Sequence, residues 1–384
     1  MTIGRFCTGN VVTLLHSGEE YFPALHAAID KAKQEVYLEV YIFADDQTGR
    51  RIADALVRAA ARGVKVCVVV DGFGSRYLAG TLLDMMAGQG VEILVFRPEV
   101  GQFRFHHRRL RRLHRKLAVI DGAVSFVGGI NIIDDVNTPK QIPPRFDYAV
   151  RIEGPLLGDI YPVAMRMWRY LHWTHLRISE SPSRLLPVVE PIGGVAAAFL
   201  IRDNVHHRRD IEEAYLKALA TAQDEIIIAN AYFLPGQRFR HALIDASARG
   251  VRVVLLLQGR VEYFLLHYAT RALYGSLLIG GVHILEYQKS FLHAKVAVID
   301  REWATVGSSN IDPFSLLLAR EANVIIRDHA FAHTLRNSLR RAIMEGSVSV
   351  RSHWKERSLI DRMLSWMCYG ITRLIMGLFG YAQD

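Results

Sequence analysis

Apolar residues in this chain gather into short, nearly unbroken runs rich in Val and Ile, and between them lie longer segments with helical spacing. EVYLEVYIF at 35–43 is one such run, and ALVRAAARGVKVCVVV at 55–70 passes from an Ala, Leu and Arg segment through ARGV into another. The pattern predicts strand, helix, strand. Continuous apolar strands that alternate with helices imply a sheet covered on both faces and largely parallel at its centre. The same order returns later, with EIIIANAYF at 225–233 and ALIDASARGVRVVLLL at 242–257.

The repetition is sharpest around two histidines. HRKLAVIDGAVSFVGGIN spans 114–131 and HAKVAVIDREWATVGSSN spans 293–310, so His, Lys, Asp, Gly and Asn recur at one offset. The chain is therefore read as two α/β units, 1–185 and 186–350, followed by a tail at 351–384. Their boundary is set in SESPSRLLPVVEP at 179–191, the one Ser- and Pro-rich interval of any length. GFG at 72–74 follows a strand but lacks the third glycine of a dinucleotide fingerprint, so it reads as a turn.

Composition narrows the class. With 384 residues, 51% hydrophobic and 22% charged, the chain can bury substantial cores, which excludes intrinsic disorder and fibrous repeats. A formal net charge of +9 favours an anionic partner. Cys7, Cys67 and Cys368 are scattered and odd in number, which argues against a disulfide framework or zinc cluster and for a reducing compartment. The paired His106–His107 and His206–His207 lack the spacing of a metal site on one helix face and read as surface or interface residues. The opening residues lack a secretory leader's basic and apolar regions, so no cleaved leader is expected.

Alternation along a strand turns His114 and Lys116 to one face, and likewise His293 and Lys295. An imidazole beside an ammonium suits phosphoryl chemistry: the neutral ring attacks phosphorus while the cation neutralises non-bridging oxygens. Asp121 and Asp300 each lie seven residues beyond their histidine, where bracing the site is the expected role. A lone His and Lys on a strand is weak evidence; two copies with matching Asp, Gly and Asn are strong.

These residues resemble the phospholipase D superfamily, whose signature is HxK, four residues, Asp, six residues, GSxN; 293–310 matches throughout and 114–131 departs at Gly129. Within that superfamily the chain is most similar to bacterial cardiolipin synthases of the type lacking two N-terminal transmembrane helices. YIFADDQTG, VDGFGS, RIEGP and GSSNIDPFSLLLAREANVIIRD carry the resemblance along most of the chain. It implies two tandem phospholipase D-like domains, each a largely parallel mixed sheet flanked by helices, related by a pseudo-twofold axis with one active site between them. It further implies a phosphatidyltransferase that passes a phosphatidyl group from phosphatidylglycerol to a second such lipid through a covalent phosphohistidine, releasing glycerol. His114 is the expected nucleophile and His293 the acid and base, although sequence symmetry permits the reverse. Glu321 and Asp147 are expected to orient the histidines, and Asn131, Ser308 and Asn310 to bind phosphate oxygens. No metal or cofactor is expected, since two lysines supply positive charge. Hydrolysis by a phospholipase D and cleavage by a metal-independent nuclease remain alternatives, as does a non-catalytic binding module.

Two further features point to a lipid surface. Between Arg104 and Lys116, seven cations occupy thirteen positions: Arg104, Arg108, Arg109, Arg111, Arg112, Arg115 and Lys116. Such a cluster attracts anionic headgroups and would also attract nucleic acid phosphates, though no specific nucleic acid is expected. The tail LSWMCYGITRLIMGLFGYA combines Trp366, Tyr369, Phe379 and Tyr381 with aliphatics, and Arg373 divides it into apolar runs too short to span hydrocarbon. A helix lying in the membrane surface is expected, with a peripheral location on the bacterial inner membrane.

Overall fold

In the computed structural model, both predicted strand–helix–strand units form. The structure describes residues 5–76, 82–98, 112–138, 140–174, 185–203, 206–312, 319–354 and 358–378. His106, His107, Phe379, Tyr381 and most of the basic cluster lie outside them.

The first half contributes β1 (Cys7–His16), β2 (Glu35–Val40), β3 (Lys65–Asp71), β4 (Glu92–Phe96), β5 (Arg112–Leu113), β6 (Leu117–Ile120), β7 (Val124–Gly128), β8 (Arg145–Phe146) and β9 (Tyr148–Glu153). The second contributes β10 (Val195–Arg202), β11 (Glu225–Asn230), β12 (Arg252–Gln258), β13 (His283–Tyr287), β14 (Phe291–Leu292), β15 (Lys295–Ile299), β16 (Trp303–Gly307), β17 (Ala319–Arg327) and β18 (Ser347–Ser349). The main strand path runs β18-β13-β12-β11-β15-β16-β17-β10-β1-β9-β7-β6-β2-β3-β4. Apart from β18 it reads the same from either end, with β10 and β1 paired antiparallel at the middle, as a twofold relation between the halves requires.

The sheet is mixed, but less parallel than the apolar runs suggest. Parallel ladders join β2, β3 and β4, and likewise β11, β12 and β13, because a helix returns the chain between them. The remaining ladders of each half are antiparallel, since tight turns connect β6 to β7 and β15 to β16. Those strands are still largely buried, because helices or the other half cover both faces.

Helices α1 (Ser17–Lys31), α2 (Gln47–Ala61) and α3 (Leu82–Gly88) close the outer face of the first half, where Leu25, Ile29, Leu56 and Met86 pack on Val36, Leu38 and Val68. The α2 start is set by Asp46, whose carboxylate accepts the Gly49 N–H at 2.9 Å. In the second half α5 (Asp210–Thr221), α6 (Gln237–Ala248) and α7 (Phe264–Ile279) do the same over Ile226, Ile228 and Leu255. Between the halves runs a shared core in which Val127, Val150 and Tyr148 meet Val296, Val306 and Val324, capped by α4 (Leu157–Thr174) and the helix His329–Gly346. This third core presses the two inner faces together and brings the histidine strands to the seam.

Candidate active site

Each histidine enters the seam on a two-residue strand that pairs with the opposite half. Strand β5 lies parallel to β17, with Leu113 opposite Arg320, and β14 lies parallel to β8, with Leu292 opposite Phe146. The ladder continues one residue further, for the His114 N–H donates to Arg320 O at 3.0 Å and the His293 N–H to Phe146 O at 2.8 Å. The residue after each acceptor is a carboxylate. Parallel pairing thus sets Glu321 beside His114 and Asp147 beside His293.

The side chains complete the exchange. His114 Nδ1 lies 2.9 Å and 3.1 Å from the Glu321 carboxylate oxygens, and His293 Nδ1 lies 2.6 Å from Asp147 Oδ2. Both carboxylates are buried. Against the upward push of burial, Lys295 and His293 hold Asp147 below the usual carboxylate range, and His114, Lys116 and Ser308 do the same for Glu321. An ionised acceptor at Nδ1 requires that nitrogen to carry the proton, which leaves Nε2 of each ring as the nucleophilic or basic atom. Burial lowers both histidines, His293 to about 3, so the rings rest neutral.

Lys116 donates to the His114 carbonyl at 2.7 Å, and Lys295 donates to the His293 carbonyl. Lys295 also lies 2.9 Å from His293 Nδ1, but that atom already donates to Asp147 and has no lone pair to offer. Burial lowers both ammonium groups, Lys116 to about 7, with further lowering by Lys295 at Lys116 and by Arg145 at Lys295. The charge of Lys295 acts on both His114 and Lys116, which puts the two motifs in one electrostatic neighbourhood.

Asp121 and Asp300 sit at the far ends of β6 and β15, roughly 20 Å along the strand from their histidines, and brace turns outside the cleft. Asp121 accepts the N–H groups of Lys33, Gln34 and Glu35, and Asp300 those of Gln223, Asp224 and Glu225. Both adopt positive φ, at 51° and 54°, a conformation Asp tolerates better than most residues. Ser308 is not free to bind phosphate either: its hydroxyl donates to Glu321 Oε2 at 2.5 Å and accepts the Ala322 N–H at 3.1 Å. Asn131 ties two strand ends together, its Oδ1 accepting the Ile42 N–H at 3.0 Å, and Asn310 is buried at the matching corner.

Gly129, at the position of Ser308, has a steric reason. A Cβ there would run into the Asp147 carboxylate, so the half with the shorter acid at this corner has no room for the serine. Among residues not singled out from sequence, Tyr41 sets its ring edge-on to His114 at 4.9 Å and receives Lys116 at 5.4 Å. The signal for it is its place directly after a strand that abuts the motif. Arg145, two residues before Asp147, acts on His293 and Lys295 and stacks over Phe291 at 5.4 Å.

Two histidines, each held by a carboxylate of the other half and each with a lysine two residues on, stand at the seam of a duplicated α/β fold. The chain matches the family model described as "Cardiolipin synthase, PLD-like domain" over residues 25–140 and 215–343. It is 41% identical over 341 residues to cardiolipin synthase B of Escherichia coli K12, covering 86% of this chain and 80% of that protein. With cardiolipin synthase B of Salmonella typhimurium the identity is 39% over 368 residues, 93% of this chain and 85% of that one. A crystal structure of phosphatidylserine synthase from Haemophilus influenzae superposes with a TM-score of 0.71 at 15% identity, over 98% of this chain and 96% of that one, and shares the fold. The chain belongs to the cardiolipin synthase family of the phospholipase D superfamily.

Proposed function

We propose that the seam transfers a phosphatidyl group from one phosphatidylglycerol to the glycerol hydroxyl of another, yielding cardiolipin and free glycerol. The observation that supports this reading is the crossed pair of Nδ1 contacts, which leaves the Nε2 of each ring outside its carboxylate pair and available for chemistry at phosphorus.

His114, whose side chain is 17% exposed against 11% for His293, is the nucleophile. Its Nε2 lone pair forms the N–P bond as the bond from phosphorus to the glycerol oxygen breaks. The cation so formed is stabilised through Nδ1–H by Glu321. His293, neutral at rest, takes up a proton at Nε2 as the diester anion binds and gives that proton to the departing glycerol, its Nδ1–H staying on Asp147. The acceptor hydroxyl then loses its proton to His293 and attacks phosphorus, returning His114 to its neutral form. Lys116 and Lys295 neutralise the non-bridging oxygens throughout.

Transfer requires lipid alcohol to outcompete water. The C-terminal helix Leu359–Leu378 supports a lipid-facing setting: Ser365, Cys368 and Thr372 turn small groups inward against the second half's outer core, while Leu359, Ile360, Met363, Trp366, Met367 and Leu374 face outward. This is the inverse of a soluble amphipathic helix, and it fits a peripheral location on the bacterial inner membrane. No helix among the described residues is long and apolar enough to cross a membrane.

The purified protein is to be incubated with phosphatidylglycerol vesicles. Cardiolipin with equimolar glycerol is the expected product; phosphatidic acid alone would replace transfer with hydrolysis, and cleavage of single-stranded DNA would replace both with a nuclease.

A further inference from the structure

The loop after β12 brings a carboxylate to the cleft that the transfer steps do not use. In the first half the equivalent position is Ser75, whose hydroxyl donates to Tyr41 O at 3.0 Å and accepts the Phe43 N–H at 3.0 Å, locking the loop from within. In the second half that position is Glu262, which is exposed and whose Oε2 accepts the Tyr232 hydroxyl. The shared scaffold therefore asks for no acid here.

Tyr232 stands beside the chemistry. It follows Ala231, whose N–H donates to Ala294 O at 2.9 Å, and Ala294 separates His293 from Lys295. Lys295 and Arg145 both act electrostatically on Glu262. Tyr263 closes the corner, its ring 5.5 Å from that of Tyr232. A cavity of about 30 Å³, lined by Tyr232, Gln258, Glu262, Tyr263 and His267 among others, holds one water or one alcohol group. Among the described residues Glu262 Oε1 has no hydrogen-bond donor.

We infer that Glu262 and Tyr232 form a hydroxyl-reading subsite that selects a neutral polyol headgroup, glycerol over ethanolamine or a simple alcohol, on the alcohol side of the phosphorus. One glycerol hydroxyl reacts, and a second donates to the open carboxylate oxygen. Burial pushes the Glu262 carboxyl up despite Lys295 and Arg145, and those two cations repel an ammonium, so a neutral donor is the better partner. Departing and incoming alcohols occupy the same side of phosphorus by microscopic reversibility, so the subsite reads both donor and acceptor. A site built to pair a hydroxyl discriminates strongly against a ligand that lacks it.

The inference rests on the transfer reading, and the test separates the two. Vesicles of otherwise equal composition carry phosphatidylglycerol, phosphatidylethanol or phosphatidylethanolamine as donor, with excess methanol as the common acceptor, and release of the headgroup alcohol or amine is followed. The wild type is expected to prefer phosphatidylglycerol. Glu262→Gln should lower that activity roughly tenfold, the size of one charged hydrogen bond, with phosphatidylethanol unaffected. Tyr232→Phe should move the same ratio in the same direction by less. An equal loss on both donors marks a merely structural role and overturns the inference, as does an unchanged ratio in both variants. A selective loss on phosphatidylethanolamine overturns it too, since the carboxylate would then be reading an ammonium. Wild-type protein that consumes none of the three overturns the transfer reading and the inference with it.

Discussion

The two halves solve the same local problem differently at the residue between histidine and lysine. In the first half it is Arg115, buried and forked onto Glu39, with Nε at 2.7 Å from Oε1 and a terminal nitrogen at 3.2 Å from Oε2, while the Tyr37 hydroxyl donates to Oε2 at 2.9 Å. In the second half the matching positions are Ala294 and Ala229, both fully buried. A charged pair has been exchanged for two methyl groups beneath the same HxK frame. The orienting acids differ in the same way. Glu321 reaches far enough to take a serine hydroxyl as well as His114, whereas Asp147 occupies the space a serine would need and receives the Tyr148 N–H at 2.8 Å instead. What recurs is the histidine, its lysine and a carboxylate from across the seam; the packing behind them is free to vary.

The equivalence of the halves at the reacting atoms breaks most sharply under substitution of the histidines. His114→Ala and His293→Ala should each reduce cardiolipin formation by roughly 10³-fold or more. They should part company on a phosphatidyl ester with an activated leaving group, which needs no acid. There His293→Ala should accumulate a phosphohistidine detectable by mass spectrometry and His114→Ala should not. The opposite pattern would interchange the roles, and near-normal turnover by either variant would dissolve the composite site.

The packing difference is tested next. Arg115→Ala leaves Glu39 as an unpaired buried charge and should cost about 3–5 kcal/mol in chemical unfolding. Combining it with Glu39→Ala recreates the second half's arrangement and should cost less than Arg115→Ala alone. A double variant no more stable than that single one would mean that the surrounding first-half core depends on the pair itself.

The smallest effect concerns the two lysines. Burial brings Lys116 down to about 7, so its cationic, phosphate-binding form is lost as pH rises through that value. Above it, kcat/KM should fall by about tenfold per pH unit. Because His114 is lowered from its ordinary value, its neutral form persists into acid, and the acid limb should lie below 6.5. Lys116→Arg should carry the alkaline limb upward; a limb that stays in place would have another source, such as the proton on His293.

Much of the site is legible in the order of residues. The repeated HxK with its downstream Asp, Gly and Asn points to the residues proposed to react, and apolar runs with helical intervals identify the strands and helices around them. The motif does not reveal that Asp121 and Asp300 face away from the chemistry. A strand's alternation says which face a side chain takes, but not how far along the ladder the reaction lies. Nor does it show Ser308 engaged with Glu321, a contact that needs β16 and β17 aligned with Gly307 opposite Asn323.

What the amino-acid sequence determined by itself is local: the periodicity of its elements, the face shared by each histidine and lysine, and the duplication. What only the tertiary structure decided is the crossing of partners, His114 with Glu321 and His293 with Asp147, over separations of 207 and 146 residues. Those contacts follow from two short parallel ladders, β5 on β17 and β8 on β14, which exist because the shared core presses the inner faces of both halves together. Local propensity acts over a few residues, whereas this register is set by burial of apolar surface summed over the whole seam.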